Sequence, residues 1–145
     1  MGQQQLLLII LVTIIVGIAT VVAINTFSSA ADSANVDAAR QDALSIAAAA
    51  QQYYMKPGAL GGGGQSFTGI DFSKISGVAV ESTTTTKTQA SNDNGTYVIA
   101  DGDQSFTLTV YPASCANGAP PFTTCDNSTD VLTATVSADN ISWNS

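Results

Sequence analysis

The chain has 145 residues, material for one modest domain. Its formal net charge is −7, with only four Lys and Arg. That balance excludes the clustered basic surface that displaces counterions from nucleic acid, and it opposes electrostatic attraction to anionic membranes. Charged residues are 10% of the chain and hydrophobic ones 45%, with Ser, Thr, Asn and Gly filling the gap. A surface polar by hydroxyl and amide suits an exported protein packed against its own copies, because like charges repel at close spacing.

Residues 6–27 (LLLIILVTIIVGIATVVAINTF) carry no charge, and the first charged side chain is Asp32. At about 1.5 Å per residue, a helix of this length crosses a bilayer's hydrocarbon core. Thr13, Gly17 and Thr20 are tolerated there, since hydroxyls bond back to carbonyls and Gly permits close helix approach. A cleaved signal peptide is the competing reading, with Ser29-Ala30-Ala31 as its small-residue site. It fits badly: Met-Gly-Gln-Gln-Gln has no basic residue and the apolar run exceeds the usual length.

From Ala30 to Met55 the composition stays helical, without Pro or Gly. Val36, Ala39, Ala43, Ile46, Ala50 and Tyr53 step by three and four and mark one apolar stripe. Lys56-Pro57-Gly58 ends the pattern with a cation and a breaker. Residues 3–55 read as one helix of about 80 Å. Its first half is apolar all round and needs lipid or other copies of itself. Its second half is amphipathic and covers a domain of its own chain. The expected organisation is an apolar assembly half over residues 1–29, an amphipathic half over 30–56, a Gly-rich connector over 57–66 and a β-rich extracellular domain over 67–145.

This layout resembles the type IV pilins and their pseudopilin relatives. They share a short uncharged N-terminus, an apolar assembly segment, an amphipathic continuation ending in an aromatic-rich turn and a small β domain. The run from Val36 to Tyr54 (VDAARQDALSIAAAAQQYY) carries the likeness most closely; beyond residue 55 it is one of layout. Two departures are evident. Where pilins place a glutamate at the fifth mature position, this chain has Gln5 if Met1 comes first, or Leu7 if cleavage follows Gly2. The proline common near the end of the apolar segment is also missing, with Val22 and Ala23 there instead.

The resemblance implies assembly through Met1, Gln3, Gln4, Gln5, Leu6, Leu7, Leu8, Ile9, Ile10, Leu11, Ile14, Ile15, Gly17, Ile18, Val21, Val22 and Ile24. It also implies a helical homo-oligomer, a membrane-held subunit before assembly, a methylated N-terminus, a prepilin peptidase and a pilus assembly machinery. A major subunit of an extracellular, cell-surface filament is the leading expectation. A pseudopilin of a type II secretion-like system and a single-pass membrane-anchored surface binding domain are the alternatives.

Beyond Gly61-Gly-Gly-Gly64, read as a flexible connector, the period changes to two. Thr96-Tyr-Val-Ile-Ala100 and Ser105-Phe-Thr-Leu-Thr-Val-Tyr111 flank Asp101-Gly102, a hairpin signal. Phe106, Leu108 and Val110 share one face. Leu132, Ala134 and Val136 repeat the alternation, a turn near Ala138-Asp139-Asn140 follows, and Ile141 and Trp143 supply a last short strand. Residues 78–87 read as one more. Three or four antiparallel strands under the helix stripe make an α+β fold.

Cys115 and Cys125 stand without a C-x-x-C motif, and the chain has no histidine, so neither zinc nor redox chemistry is supported. A disulfide is the natural reading and implies an oxidising compartment; two buried free thiols are the alternative. A C-terminal disulfide is also what the resemblance implies. Asp101-Gly-Asp103 and Asp126-Asn-Ser-Thr-Asp130 offer oxygens for calcium, but neither follows the EF-hand pattern and acids in tight turns are ordinary. Asn94, Asn127 and Asn140 each begin an N-glycosylation sequon, and residues 82–88 and 133–137 offer hydroxyls for sugars. No cofactor is expected. With no histidine and no phosphate-loop setting for the glycine run, no catalytic residue is assigned and an enzyme is not expected.

Overall fold

With no proline before Pro57 and no charge before Asp32, the N-terminal chain has no local reason to leave the helical region. In the computed structural model α1 runs unbroken over Gly2–Met55. The structure describes residues 1–75, 82–83, 87–115, 123–125 and 131–144. They divide into two compact units, Met1–Ala34 and Asn35–Ser145, and α1 contributes to both. The first unit is helix alone.

In the second unit α1 buries Ala39, Ala43, Ile46, Ala47, Ala50 and Tyr53. This is the stripe expected from the sequence, with Val36 half-buried at its start and Ala47 added. Alanine at four of the six positions keeps the helix surface low, so the sheet can approach closely. The helix ends as its chemistry requires, because the last carbonyls of any helix lack intrahelical partners. Here the glycine run supplies them. Gly63 N–H donates to Tyr53 O at 2.8 Å, Gly64 N–H to Lys56 O at 3.0 Å, and Gln65 N–H to Tyr54 O at 2.9 Å. A Cβ at Gly63 would lie 2.0 Å from Ser66 O, and one at Gly62 would lie 2.2 Å from Lys56 O. The segment expected as a flexible connector is thus a hydrogen-bonded cap, glycine-rich because backbone passes against backbone.

Among the described residues the sheet has six strands: β1 (Ser82–Thr83), β2 (Gln89–Asn92), β3 (Gly95–Ala100), β4 (Ser105–Pro112), β5 (Leu132–Ser137) and β6 (Ile141–Asn144). Each pairs antiparallel with the next, so sheet order equals chain order. The α+β class stands, with more strands than the three or four expected. The predicted hairpin is β3–β4, in the register Ile99↔Leu108 and Tyr97↔Val110. Phe106, Leu108 and Val110 are buried, as are Ala134 and Val136. The turn at residues 138–140 and the final strand also form, closed by Ser137 N–H donating to Asn140 O at 2.8 Å.

The strand expected over residues 78–87 is described only at Ser82–Thr83; Lys87 sits at φ 58°, outside extended geometry, and the remainder lies outside the described residues. The core takes four further side chains from the segment after the glycine cap: Phe67, Ile70, Phe72 and Ile75. Phe67 stacks between Tyr54 (centroids 4.8 Å apart) and Phe106 (5.2 Å), joining helix end, loop and sheet.

Candidate functional site

Two surfaces carry chemistry: the bare apolar half of α1, and the seam where its second half meets the sheet.

The large apolar side chains expected to drive assembly are all exposed, from Leu6 at 62% through Ile15 at 57% to Ile24 at 65%. Soluble domains do not leave so long a contiguous apolar surface open. By length and composition the segment can cross a membrane. Its hydroxyls make no demand on a partner. Thr13 Oγ1 donates to Ile10 O at 2.8 Å, Thr26 Oγ1 to Val22 O at 2.9 Å, and Thr20 Oγ1 to Val16 O. Hydroxyls satisfied in this way can enter hydrocarbon or a helix bundle without an unpaired polar group. Gly17 has open space where a Cβ would stand, leaving a flat spot for close helix approach. Gln3, Gln4 and Gln5 lie exposed in the first turns, where no acidic residue answers the free N–H groups.

The seam is held by polar contacts spread along the helix. Asn35 Oδ1 accepts from Ser114 N–H at 3.0 Å, and Gln51 Nε2 donates to Ser137 O at 3.0 Å. The Arg40 guanidinium lies 5.8 Å from the Trp143 ring centroid, within cation–π reach. The densest contact is at Asp42. Its Oδ2 accepts from Asn94 Nδ2 (2.7 Å), Asn92 Nδ2 (2.8 Å) and the Tyr97 hydroxyl (2.9 Å). Asn92 Oδ1 in turn accepts the backbone N–H groups of Asn94 and Gly95 at 3.0 and 3.1 Å, shaping the β2–β3 turn around the carboxylate.

Burial raises the Asp42 carboxyl, but donation from Asn94, Asn92 and Tyr97 outweighs it and holds the group below its ordinary value. Burial, followed by the hydrogen bond to Asp42 and its charge, pushes the Tyr97 hydroxyl far above the usual phenol range, so it remains a donor. Nothing in the sequence marked this cluster. An aspartate off the apolar stripe reads as solvated, and Asn-Asp-Asn-Gly reads only as a turn.

Cys115 and Cys125 form a disulfide, with S–S 1.97 Å and Cα–Cα 5.0 Å. Of the sequon asparagines, Asn140 is exposed in the β5–β6 turn. Asn94 is half-buried with its amide nitrogen committed to Asp42, and Asn127 lies outside the described residues. The Asp101 and Asp103 carboxylates accept from Gly69 N–H (3.0 Å) and the Ser66 hydroxyl (2.8 Å), binding the loop after the glycine cap to the β3–β4 turn. Asp126 and Asp130 lie outside the described residues.

On the sheet face opposite the core, β4 and β5 present Ser105↔Ser137, Thr107↔Thr135 and Thr109↔Thr133, directly opposed and without charge. The chain matches no family model, and neither curated proteins nor solved structures give a significant match. A long helix with an apolar N-terminal half, whose second half packs on a small antiparallel sheet, is compatible with a pilin-like fold.

Proposed function

We propose that this chain is a structural subunit of an extracellular type IV pilus-like filament, without enzymatic activity of its own. The observation that carries the reading is one helix with two surroundings: residues 6–27 exposed and apolar, residues 39–53 seated on a folded domain. In this reading the apolar half sits in a membrane until assembly, then exchanges lipid for the same segment of neighbouring copies. Burial of apolar surface supplies the driving force but no direction. Axial register needs polar groups, and the Gln3-Gln4-Gln5 run with the unanswered N–H groups of the first turn is where the segment has them.

A side-chain carbonyl from this run, Gln5 foremost, accepts from the first-turn backbone of an adjacent subunit. Left buried and unpaired, such groups would cost about 1–3 kcal/mol each. Prepilin-type processing and an assembly machinery belong to the same proposal. The uncharged hydroxyl face of β4 and β5 supports it over a nucleic-acid or ionic-ligand role, because it offers no charge for either.

The test is electron microscopy of the cell surface with and without the gene, combined with Gln5→Leu. Loss of the gene should remove a class of filament. Gln5→Leu should leave membrane insertion intact while lowering filament yield or helical order. Wild-type yields of equally ordered filaments from Gln5→Leu would show that packing alone sets the register. An unchanged cell surface in the deletion strain would remove the filament reading itself.

A further inference from the structure

The turn that grips Asp42 contains a chemically reactive pair, Asn94-Gly95. With no Cβ on Gly95, its backbone nitrogen meets the least steric resistance in approaching the carboxamide carbon of the preceding asparagine. The reaction needs no partner but water. The Gly95 nitrogen bonds to Asn94 Cγ, the Cγ–Nδ2 bond breaks, and ammonia departs with the proton that Gly95 loses, leaving a succinimide ring. Water then opens the ring at either carbonyl and leaves aspartate or isoaspartate at position 94.

In the folded chain both reacting groups are occupied. Asn94 Nδ2 donates to Asp42 Oδ2 at 2.7 Å, and the Gly95 N–H donates to Asn92 Oδ1 at 3.1 Å. Gly95 is also pinned in β3 opposite Pro112. Ring closure requires the 94–95 backbone to rotate out of that pairing. The glycine cannot be replaced to lower the risk, because a Cβ there would stand 2.3 Å from Tyr111 O. The fold therefore requires the glycine of the reactive pair and also restrains its asparagine.

We propose that Asn94-Gly95 is a fold-gated deamidation site: docking on Asp42 suppresses ring closure, and the carboxylate that deamidation creates at position 94 prevents re-docking. The amide nitrogen that donates to Asp42 becomes an oxygen, and two carboxylates then compete for the Asn92 and Tyr97 donors. A subunit that stays folded keeps its amide. One that has been unfolded for long is marked chemically and cannot regain the native seam. This does not depend on the filament reading.

Full-length protein in mild detergent, native or in guanidinium, is incubated at alkaline pH. Peptide mass spectrometry then follows Asn94 separately from the second such pair, Asn117-Gly118. Native protein should deamidate at Asn94 at least about 30-fold more slowly than unfolded protein, since a modest opening cost sets a factor of that order. Asp42→Asn should recover part of the difference, about 5-fold, while the protein is still folded. Equal rates in native and unfolded protein would overturn the gating, and an unchanged rate in folded Asp42→Asn would overturn the role given to Asp42. For the product, Asn94→Asp should melt about 5–10 °C below Asn94→Ala, or fail to fold where Asn94→Ala folds. Equal melting of the two would show that the new carboxylate does not break the lock.

Discussion

Ile18 and Ile46 lie on the same uninterrupted helix, in surroundings that have nothing in common. Ile18 is 61% exposed, whereas Ile46 is fully buried between helix and sheet. Their local sequences explain the difference. Around Ile18 the residues are apolar in every direction, so no face is set aside for a domain. Around Ile46 the buried side chains form one stripe of alanines, an isoleucine and a tyrosine, and Arg40, Gln41, Leu44 and Ser45 off that stripe are left exposed. Helical propensity is satisfied in both halves; what differs is where the hydrophobic surface is buried. In the second unit it is buried within one chain, and in the first it stays exposed.

The sharpest test of that contrast is the same substitution at both positions. Ile46→Ala should destabilise the second unit by about 2–5 kcal/mol, through lost burial and the cavity left behind. Ile18→Ala should leave that unit's stability unchanged, because the side chain contributes nothing to its core. Denaturant unfolding in detergent, followed by the fluorescence of Trp143, reads both. A comparable loss from Ile18→Ala would break the comparison, since it would require the apolar half to support the fold.

Smaller, and confined to the second unit, is the effect of the disulfide. Cys115 is buried just after β4, and its bond to Cys125 closes a short loop that offers little to pack. On a chain-entropy estimate, reduction or the double Cys115→Ser, Cys125→Ser variant should cost roughly 3 kcal/mol. Membrane insertion of the apolar half should be unaffected. A melting temperature unmoved by reductant would show that the loop is held by other contacts.

The parts legible in the sequence were those written in period. The three-and-four stripe and the alternation in β4 and β5 each state which side of an element is buried, and the structure places those side chains accordingly; the apolar run, with no polar side, forms helix without burial. What could not be read has no period. In Gln89-Ala-Ser-Asn92 the strand β2 buries Ala90 and Ser91, neither of which announces a core. Phe67, Ile70, Phe72 and Ile75 reach the core from a segment of turns, where spacing carries no information about direction. The glycine run looks like a linker by composition, and only the path of the backbone past Tyr53 and Lys56 shows it to be a cap. Asp42 was hidden for a related reason: its partners are fifty or more residues away in sequence, so no local pattern joins them.

Asp42 also yields the smallest predicted effect, and the one whose sign is most specific. Three donors converge on one carboxylate oxygen, each suited to the ionised form. The charged state is therefore favoured by folding, and the carboxyl is held below the ordinary aspartate value of 3.8. Above that value the group is ionised in both folded and unfolded chains, and its full contribution to stability is present. As the pH falls through the folded value, the unfolded chain has already taken up its proton, the folded one must follow, and the contribution disappears. Asp71 shifts in the same direction, because Ser73 and Lys74 outweigh its burial, so wild-type protein loses stability in acid from both groups. Asp42→Asn retains Asp71 and the shape of the site while removing one charge. At neutral pH it should cost about 1–2 kcal/mol, at the low end for hydrogen bonds to a charged group because the site is partly open to solvent. Below pH 3.8 the gap between variant and wild type should narrow as the wild-type carboxyl protonates. Melting temperatures measured for both proteins from neutral pH into that acid range test the sign directly: a gap that stays constant, or widens in acid, would mean that the contacts around Asp42 hold the turn by shape rather than by charge.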